Sequence, residues 1–257
     1  MGGRRRWNGV DSVTATGATL SHNDFRQTLF AIGKERYHHR HPFHELMHEG
    51  KLSRGQLQAW VLNRYYYQSR IPNKDAAIVA RSIDQAFRRK WRERIIEHDG
   101  SEQSAGGIAR WLELAEATGL ERGRVTAERE VLPIVRYSVQ AYLDLVSRGS
   151  MIQAVASSLT ELFAGDLITL RIEKLRAHYP WLAHGLSYFE RRISQAPAEA
   201  QIAFQWVVEN ALTREQQEEA CGALRSKCDL LWAQLDAIYF AYVTPGWPPP
   251  GAFRIES

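Results

Sequence analysis

Apolar residues return every three or four positions through most of this chain, and alternating runs of Val, Ile and Thr are missing. That period fits the ~3.6-residue turn of an α-helix and not the two-residue repeat of a strand. Leu57, Trp60, Val61, Arg64, Tyr67, Gln68 and Ile71 form one stripe over about 53–71, which Pro72 is expected to close. Phe87, Trp91, Arg94, Ile95 and His98 form another, ending at Asp99-Gly100 in the pattern of a glycine cap. Pro42 to Gly50 reads as a short helix. Val135, Val139, Tyr142, Leu143 and Val146 mark a further one, and Leu182, Leu186, Phe189 and Ile193 the next. Leu224, Cys228, Leu231, Leu235, Ile238 and Tyr242 mark the last. The expectation is an all-α fold, a compact bundle of about seven helices. No internal repeat or composition break divides it. One domain is expected over 21–243, between a flexible arm at 1–20 and a loose, Pro-rich tail at 244–257.

With 44% hydrophobic and 24% charged residues, the chain has enough apolar material for a core, which excludes wholesale disorder. No apolar run reaches the ~18 residues of a membrane span. The net charge is +4, but Arg4, Arg5 and Arg6 supply three of those charges, leaving +1 for the remainder. A nucleic-acid binder carries a basic stripe over its body, so that class is set aside. Cys221 and Cys228 lie two helical turns apart, ~10 Å, beyond disulfide reach, and read as core fillers in a reducing compartment. The first 20 residues hold no apolar segment of a secretory signal. A cytoplasmic location is expected.

Cations sit on apolar stripes in four helices. Arg64 shares a face with Leu57, Trp60 and Ile71, and Arg94 and His98 continue the face of Phe87 and Trp91. Tyr188 and Arg192 flank Phe189 and Ile193, and Lys227 borders the stripe of Leu224, Cys228 and Leu231. A buried cation must meet a carboxylate, snorkel to water or face a cavity. Taken singly, each residue reads as a snorkelling or ion-paired side chain. Four together point to a central cavity for a compact, multiply anionic, partly aromatic ligand.

His44-Glu-Leu-Met-His48 matches the H-E-x-x-H pattern of zinc hydrolases, in which His44 and His48 would bind metal and Glu45 would act as base. The surrounding stretch is rich in histidine and no third-ligand signature follows, so ordinary helix-end histidines are the favoured reading. Glycine-rich phosphate loops, cysteine clusters and Gly-x-Ser-x-Gly elbows are absent from the sequence.

Longer runs carry a resemblance. Tyr37-His38 with His41-Pro-Phe-His44, Asn63 through Asp75, and Arg94-Ile-Ile-Glu-His-Asp-Gly100 resemble the pyrroloquinoline-quinone synthase family. Ser157 through Ala164, His178-Tyr-Pro-Trp181 and Lys227 through Trp232 continue the match, in order, over roughly 24–243. The resemblance implies a haem-oxygenase-like (TenA-like) bundle, usually a homodimer. It also implies the last step of cofactor biosynthesis, in which a quinone precursor bearing several carboxylates undergoes ring closure. That precursor loses eight electrons to oxygen, releasing hydrogen peroxide. No metal or organic cofactor is implied: the quinone is the product and oxygen the co-substrate. Other proteins of the pathway are implied as partners, including a carrier-like protein expected here as a separate chain.

The family's substrate-binding positions match Tyr37, His38, Arg64, Tyr67, Gln68, Lys74, Arg94, Tyr142, Glu161 and Arg171. Its remaining pocket positions match Tyr188, Arg192 and Lys227, and these with His98 are the residues expected to be catalytic. Around 183–185 the chain is one residue shorter than the family pattern, so Tyr188 and Arg192 are matched from Ser194-Gln195 downstream. Six cations are thus expected on one pocket, with Glu161 the only carboxylate. His98 is expected as general base, with a pKa pressed down by the converging cations against the pull of its helix C-terminus. Ile168 departs from the family, which usually has histidine there, and is expected to face the same cavity. A second reading follows from it: a family member that binds precursor or quinone without completing the oxidation.

Overall fold

The computed structural model describes residues 17–256. Twelve α-helices and three 3-10 segments carry the described chain. In order they are α1 (His22–Arg36), a 3-10 turn (His38–Arg40), α2 (Pro42–His48), α3 (Arg54–Gln68), α4 (Ile71–Arg81) and α5 (Gln85–Asp99). A two-strand hairpin, β1 (Gly100–Ser101) and β2 (Ser104–Ala105), precedes α6 (Gly107–Ala117), α7 (Arg122–Thr126), α8 (Pro133–Arg148) and α9 (Met151–Ala156). A second 3-10 segment (Ser157–Phe163), α10 (Ala164–His178), a third (Pro180–Gly185), α11 (Ser187–Asn210) and α12 (Arg214–Tyr242) complete it. The fold is all-α, as the periodicity implies. The larger helix number comes from pieces such as α7 and α9, too short to show a period.

Local chemistry sets the ends. Ser53 with Gln56, Ser150 with Gln153 and Thr213 with Gln216 form reciprocal capping boxes at α3, α9 and α12. Proline occupies the first turn of α2, α4 and α8, where its missing N–H costs nothing. Pro72 therefore starts α4; the preceding helix has already stopped at Gln68. The stripe from Leu182 to Ile193 is also not one helix. Leu182 lies in a 3-10 turn, α11 begins only at Ser187, and Ile193 is exposed.

The core centres on α12, which packs against α1, α8, α9 and the 157–163 turn. Cys221 and Cys228 are buried and unpaired within it. The expected N-terminal arm lies mostly outside the described residues; at its end Leu20 exchanges two hydrogen bonds with the Gln217 side chain. The C-terminal tail is not loose. Phe253 is buried, its N–H donates to the Glu130 carbonyl, and the Arg124 guanidinium lies 4.8 Å from its ring centroid. One aromatic anchor is enough to dock a segment that composition marks as free. Among the described residues no helix is long and apolar enough to cross a membrane.

Candidate active site

Helices α3, α5, α10, α11 and α12, with the 37–44 segment and the 157–163 turn, close around a cavity of about 110 Å³. Ten of the fourteen residues expected at the site line it: Tyr37, His38, Arg64, Tyr67, Gln68, His98, Glu161, Arg171, Tyr188 and Arg192. Trp60, Trp111 and Phe189 supply flat apolar wall, with Trp111 edge-on to Tyr188 at 4.9 Å between ring centroids. Ile168 lines the same cavity as Arg171, Tyr188 and Arg192, where its spacing puts it.

Lys74, Arg94, Tyr142 and Lys227 are not in the wall; they stand one layer behind. Lys227 Nζ donates to Tyr67 Oη at 2.8 Å and lies 3.3 Å from the Tyr142 ring centroid. Burial, reinforced by Arg64 and Lys74, pushes its pKa well below the usual lysine value. Lys227 therefore meets the cavity through the Tyr67 hydroxyl.

The expectation of a single carboxylate is corrected. Asp75, fully buried on α4, accepts at Oδ1 from Lys74 Nζ (2.5 Å), Trp91 Nε1 (2.8 Å) and Arg94 Nε (3.3 Å). Arg94 Nη2 donates to Glu161 at 2.6 Å, and Arg192 Nη1 donates to Glu199 at 2.8 Å. Burial would raise the Glu161 pKa, but Arg94, Arg192 and Lys74 outweigh it and hold it at about 2. Glu199 goes the other way, lifted by burial and by Glu161 despite Arg192. Three cations are thus neutralised within the protein.

Arg171 is not. It is 7% exposed, and its Nε and Nη2 are buried without a hydrogen-bond partner. Burial, with Arg64 nearby, lowers its pKa to about 10 although Tyr37 opposes the shift. Arg64 stacks on Tyr67 at 4.0 Å and makes one long bond, 3.5 Å, to Gln234. A guanidinium left with unused donors against a cavity is arranged for an anion.

His98 sits in the last turn of α5. Its position depends on Gly100, whose φ of +91° ends the helix, and on Gly106. A Cβ on Gly106 would fall 2.2 Å from the His98 carbonyl oxygen, so only glycine lets the hairpin fold back against the ring's backbone. The His98 Nδ1–H donates to the Arg94 carbonyl at 3.0 Å, which leaves Nε2 as the basic nitrogen. Its pKa falls to about 4, in the direction expected. The main cause, however, is burial; Arg192 adds to it.

His44, Glu45 and His48 do not assemble a metal centre. Glu45 is exposed, and His44 Nδ1 is directed to the His38 carbonyl at 3.0 Å. Among the described residues, no group of three or more His, Cys, Asp or Glu is placed to hold a metal ion. Sequence reasoning missed Asp75, Glu199 and Trp111, and it read His44 as a candidate zinc ligand and Trp60 and Phe189 as stripe residues without placing them at the cavity. Asp75 had one signal: each buried cation needs a carboxylate, and Asp75 adjoins Lys74.

The family model described as TENA/THI-4/PQQC matches residues 26–237. The pyrroloquinoline-quinone synthase of Acidiphilium cryptum is 50% identical over 235 residues, spanning 91% of this chain and 96% of that one. Its counterpart in Xanthomonas oryzae pv. oryzae is 51% identical over 237 residues, spanning 92% and 95%. A domain of haem-oxygenase-like fold from Shewanella denitrificans superposes with a TM-score of 0.72 over 91% of this chain and 99% of its own, at 13% identity, a likeness of fold alone. Sequence runs, helical architecture and half-identical relatives agree: the chain belongs to the TENA/THI-4/PQQC family, alongside its members named pyrroloquinoline-quinone synthase.

Proposed function

We propose that the protein is a pyrroloquinoline-quinone synthase, an oxidoreductase that closes the last ring of a polycarboxylated quinone precursor and oxidises it with molecular oxygen. In each two-electron step the ring gives up two electrons and two protons, and oxygen takes them up as hydrogen peroxide. The observation that carries the reading is Arg171, buried at the cavity with two donors unused beside Arg64. It suits a carboxylate-bearing ligand, and the Trp60, Trp111 and Phe189 walls suit flat rings. Arg171 and Arg64 would hold the carboxylates. His98 Nε2 would take ring protons, and Tyr188 with Arg192 would face the negative charge that develops on oxygen. The reading needs no metal or organic cofactor. It also carries a homodimer in the cytoplasm, working with a carrier-like protein of the pathway; sedimentation tests the dimer.

Anaerobic mixing with precursor, followed by air, tests the activity. Quinone absorbance and peroxide should rise together; a bound spectrum without peroxide would leave a binding protein.

Arg171→Leu should weaken binding of the finished quinone by about 1.5–3 kcal/mol, the range of a charge-assisted hydrogen bond, while leaving the free protein at least as stable. Calorimetric titration and thermal melting read the two halves. Equal affinity in the variant would take the ligand away from Arg171.

Ile168 favours slow oxygen chemistry. Isoleucine cannot donate to a forming peroxide, so one donor is missing from the wall shared by Tyr188 and Arg192. Ile168→His should bind precursor normally and speed oxidation several-fold. A slower variant would mean that the isoleucine is a compensated packing choice and no proton donor is lacking.

A further inference from the structure

The histidines of the H-E-x-x-H stretch are left over from the site described above, and their arrangement has a direction. His38 lines the cavity and packs against Tyr37, 4.3 Å between ring centroids with the planes tilted by 35°. His44, also in the wall, brings its Nδ1 to 3.4 Å from His38 Nδ1 and to 3.0 Å from the His38 carbonyl. His48, one helical turn on, stacks on His44 with ring centroids 6.2 Å apart and planes 22° from parallel. His48 is only partly buried, yet its Nε2 is enclosed and has no hydrogen-bond partner. Three imidazoles therefore run in file from the cavity wall to the protein surface.

We propose that His38, His44 and His48 form a proton path joining the cavity to solvent. The His44 Nδ1–H lies between the His38 carbonyl and the His38 Nδ1, so a proton can pass directly between those two rings. The wider His44–His48 step, 6.2 Å between ring centroids, would be bridged by a water. Burial holds His38 and His44 far below the ordinary histidine pKa, with Arg171 opposing protonation of both and Arg64 that of His38. His48 falls to about 4 through burial, Arg171 and Lys174. At rest the file is neutral, so it transmits protons and does not store them. A polyanion on Arg171 and Arg64 would remove the part of this suppression that comes from their charge, easing protonation of the file when the cavity is filled.

The need for such a path rests on the oxidase reading. Ring protons leave at His98, and peroxide collects protons only once oxygen has been reduced. Between those moments the cavity must release protons and recover them. No proton is gained or lost per two-electron step; the file only separates the two transfers in time.

His48→Phe keeps the ring and removes both nitrogens, and an unpartnered buried nitrogen is no loss to the fold. In the full chain labelled with 15N-histidine, hydrogen exchange at His44 Nδ1 should slow about tenfold or more in this variant, with an unchanged melting temperature. A merely structural role predicts the opposite, since loosened packing speeds exchange. Should His48→Phe fail to fold, His48→Gln, which keeps a polar group but ferries no proton, should show the same slowing. Unchanged or faster exchange in a folded variant overturns the proposal. Quinone formation is the second readout: His48→Phe should turn over several-fold more slowly and recover with added imidazole, while the natural protein ignores it. Absence of quinone from the natural protein would sink the oxidase reading and leave the exchange rates to decide the path.

Discussion

Replacing His98 by Ala should leave precursor bound but slow its oxidation ~100–10,000-fold, the span of a lost general base. The size follows from how little else can replace the ring. Its Nδ1–H is committed to the Arg94 carbonyl, so Nε2 must hold the lone pair, and no other described side chain bonds that nitrogen. Nearby alternatives are poor bases in place. Glu161 is held at about 2 by Arg94, Arg192 and Lys74, and burial raises the Tyr188 hydroxyl further above its usual value. A pKa near 4 also fixes the pH dependence. The free protein keeps this base unprotonated down to about pH 4, so the acid limb of kcat/KM should lie there and not near 6.5. Stability has the same sign. His98 takes its proton at a lower pH folded than unfolded, so its neutral burial costs nothing above 6.5, and stability falls as pH drops from 6.5 toward 4. Wild-type turnover in His98→Ala would move the base to Lys227 acting through Tyr67, or to Tyr188.

Asp75→Ala should cost about 3–5 kcal/mol of folding stability, the penalty for stranding buried charge. Asp75 Oδ1 accepts from Lys74, Trp91 and Arg94, and all three donors are buried. Arg94 would keep Glu161, but Lys74 would retain only Ser158 Oγ at 3.3 Å. Adding Lys74→Met should recover most of the loss, because a buried pair exchanged for apolar volume is close to neutral. Urea unfolding of the two variants measures both steps. A single-variant cost under about 1 kcal/mol would show that Lys74 and Arg94 do not depend on Asp75.

These two effects differ in how far they could be read ahead. His98 is legible because it continues the stripe of Phe87 and Trp91 and stands before a glycine that must end the helix. Asp75 is legible only as a need. Cations on apolar faces require carboxylates, but a one-dimensional pattern does not say which helix supplies them. Glu199 shows the same limit, lying more than 100 residues from Arg94, with its Oε2 3.8 Å from the Arg94 Nη1. Local chemistry misled where one residue type serves two purposes. Pro72 can end a helix or open one, and here it opens α4. The Pro-rich tail looks free in composition, yet Phe253 finds a site between Tyr242 and Arg124.

Residue periodicity and glycine positions determined the helical class, the bounds of α2, the end of α5 and the faces that carry Arg64, Arg94, His98, Tyr188 and Arg192, because these depend on contacts within a few residues along the chain. Tertiary structure alone decided which charges cancel. It put Lys74, Arg94 and Lys227 behind the wall and left Arg171 with unused donors at the cavity. It also made burial, more than neighbouring charge, the main force on the His98 pKa. Desolvation and ion pairing depend on what surrounds a group in three dimensions, and the same arginine is neutralised or left for a ligand according to which helix packs against it.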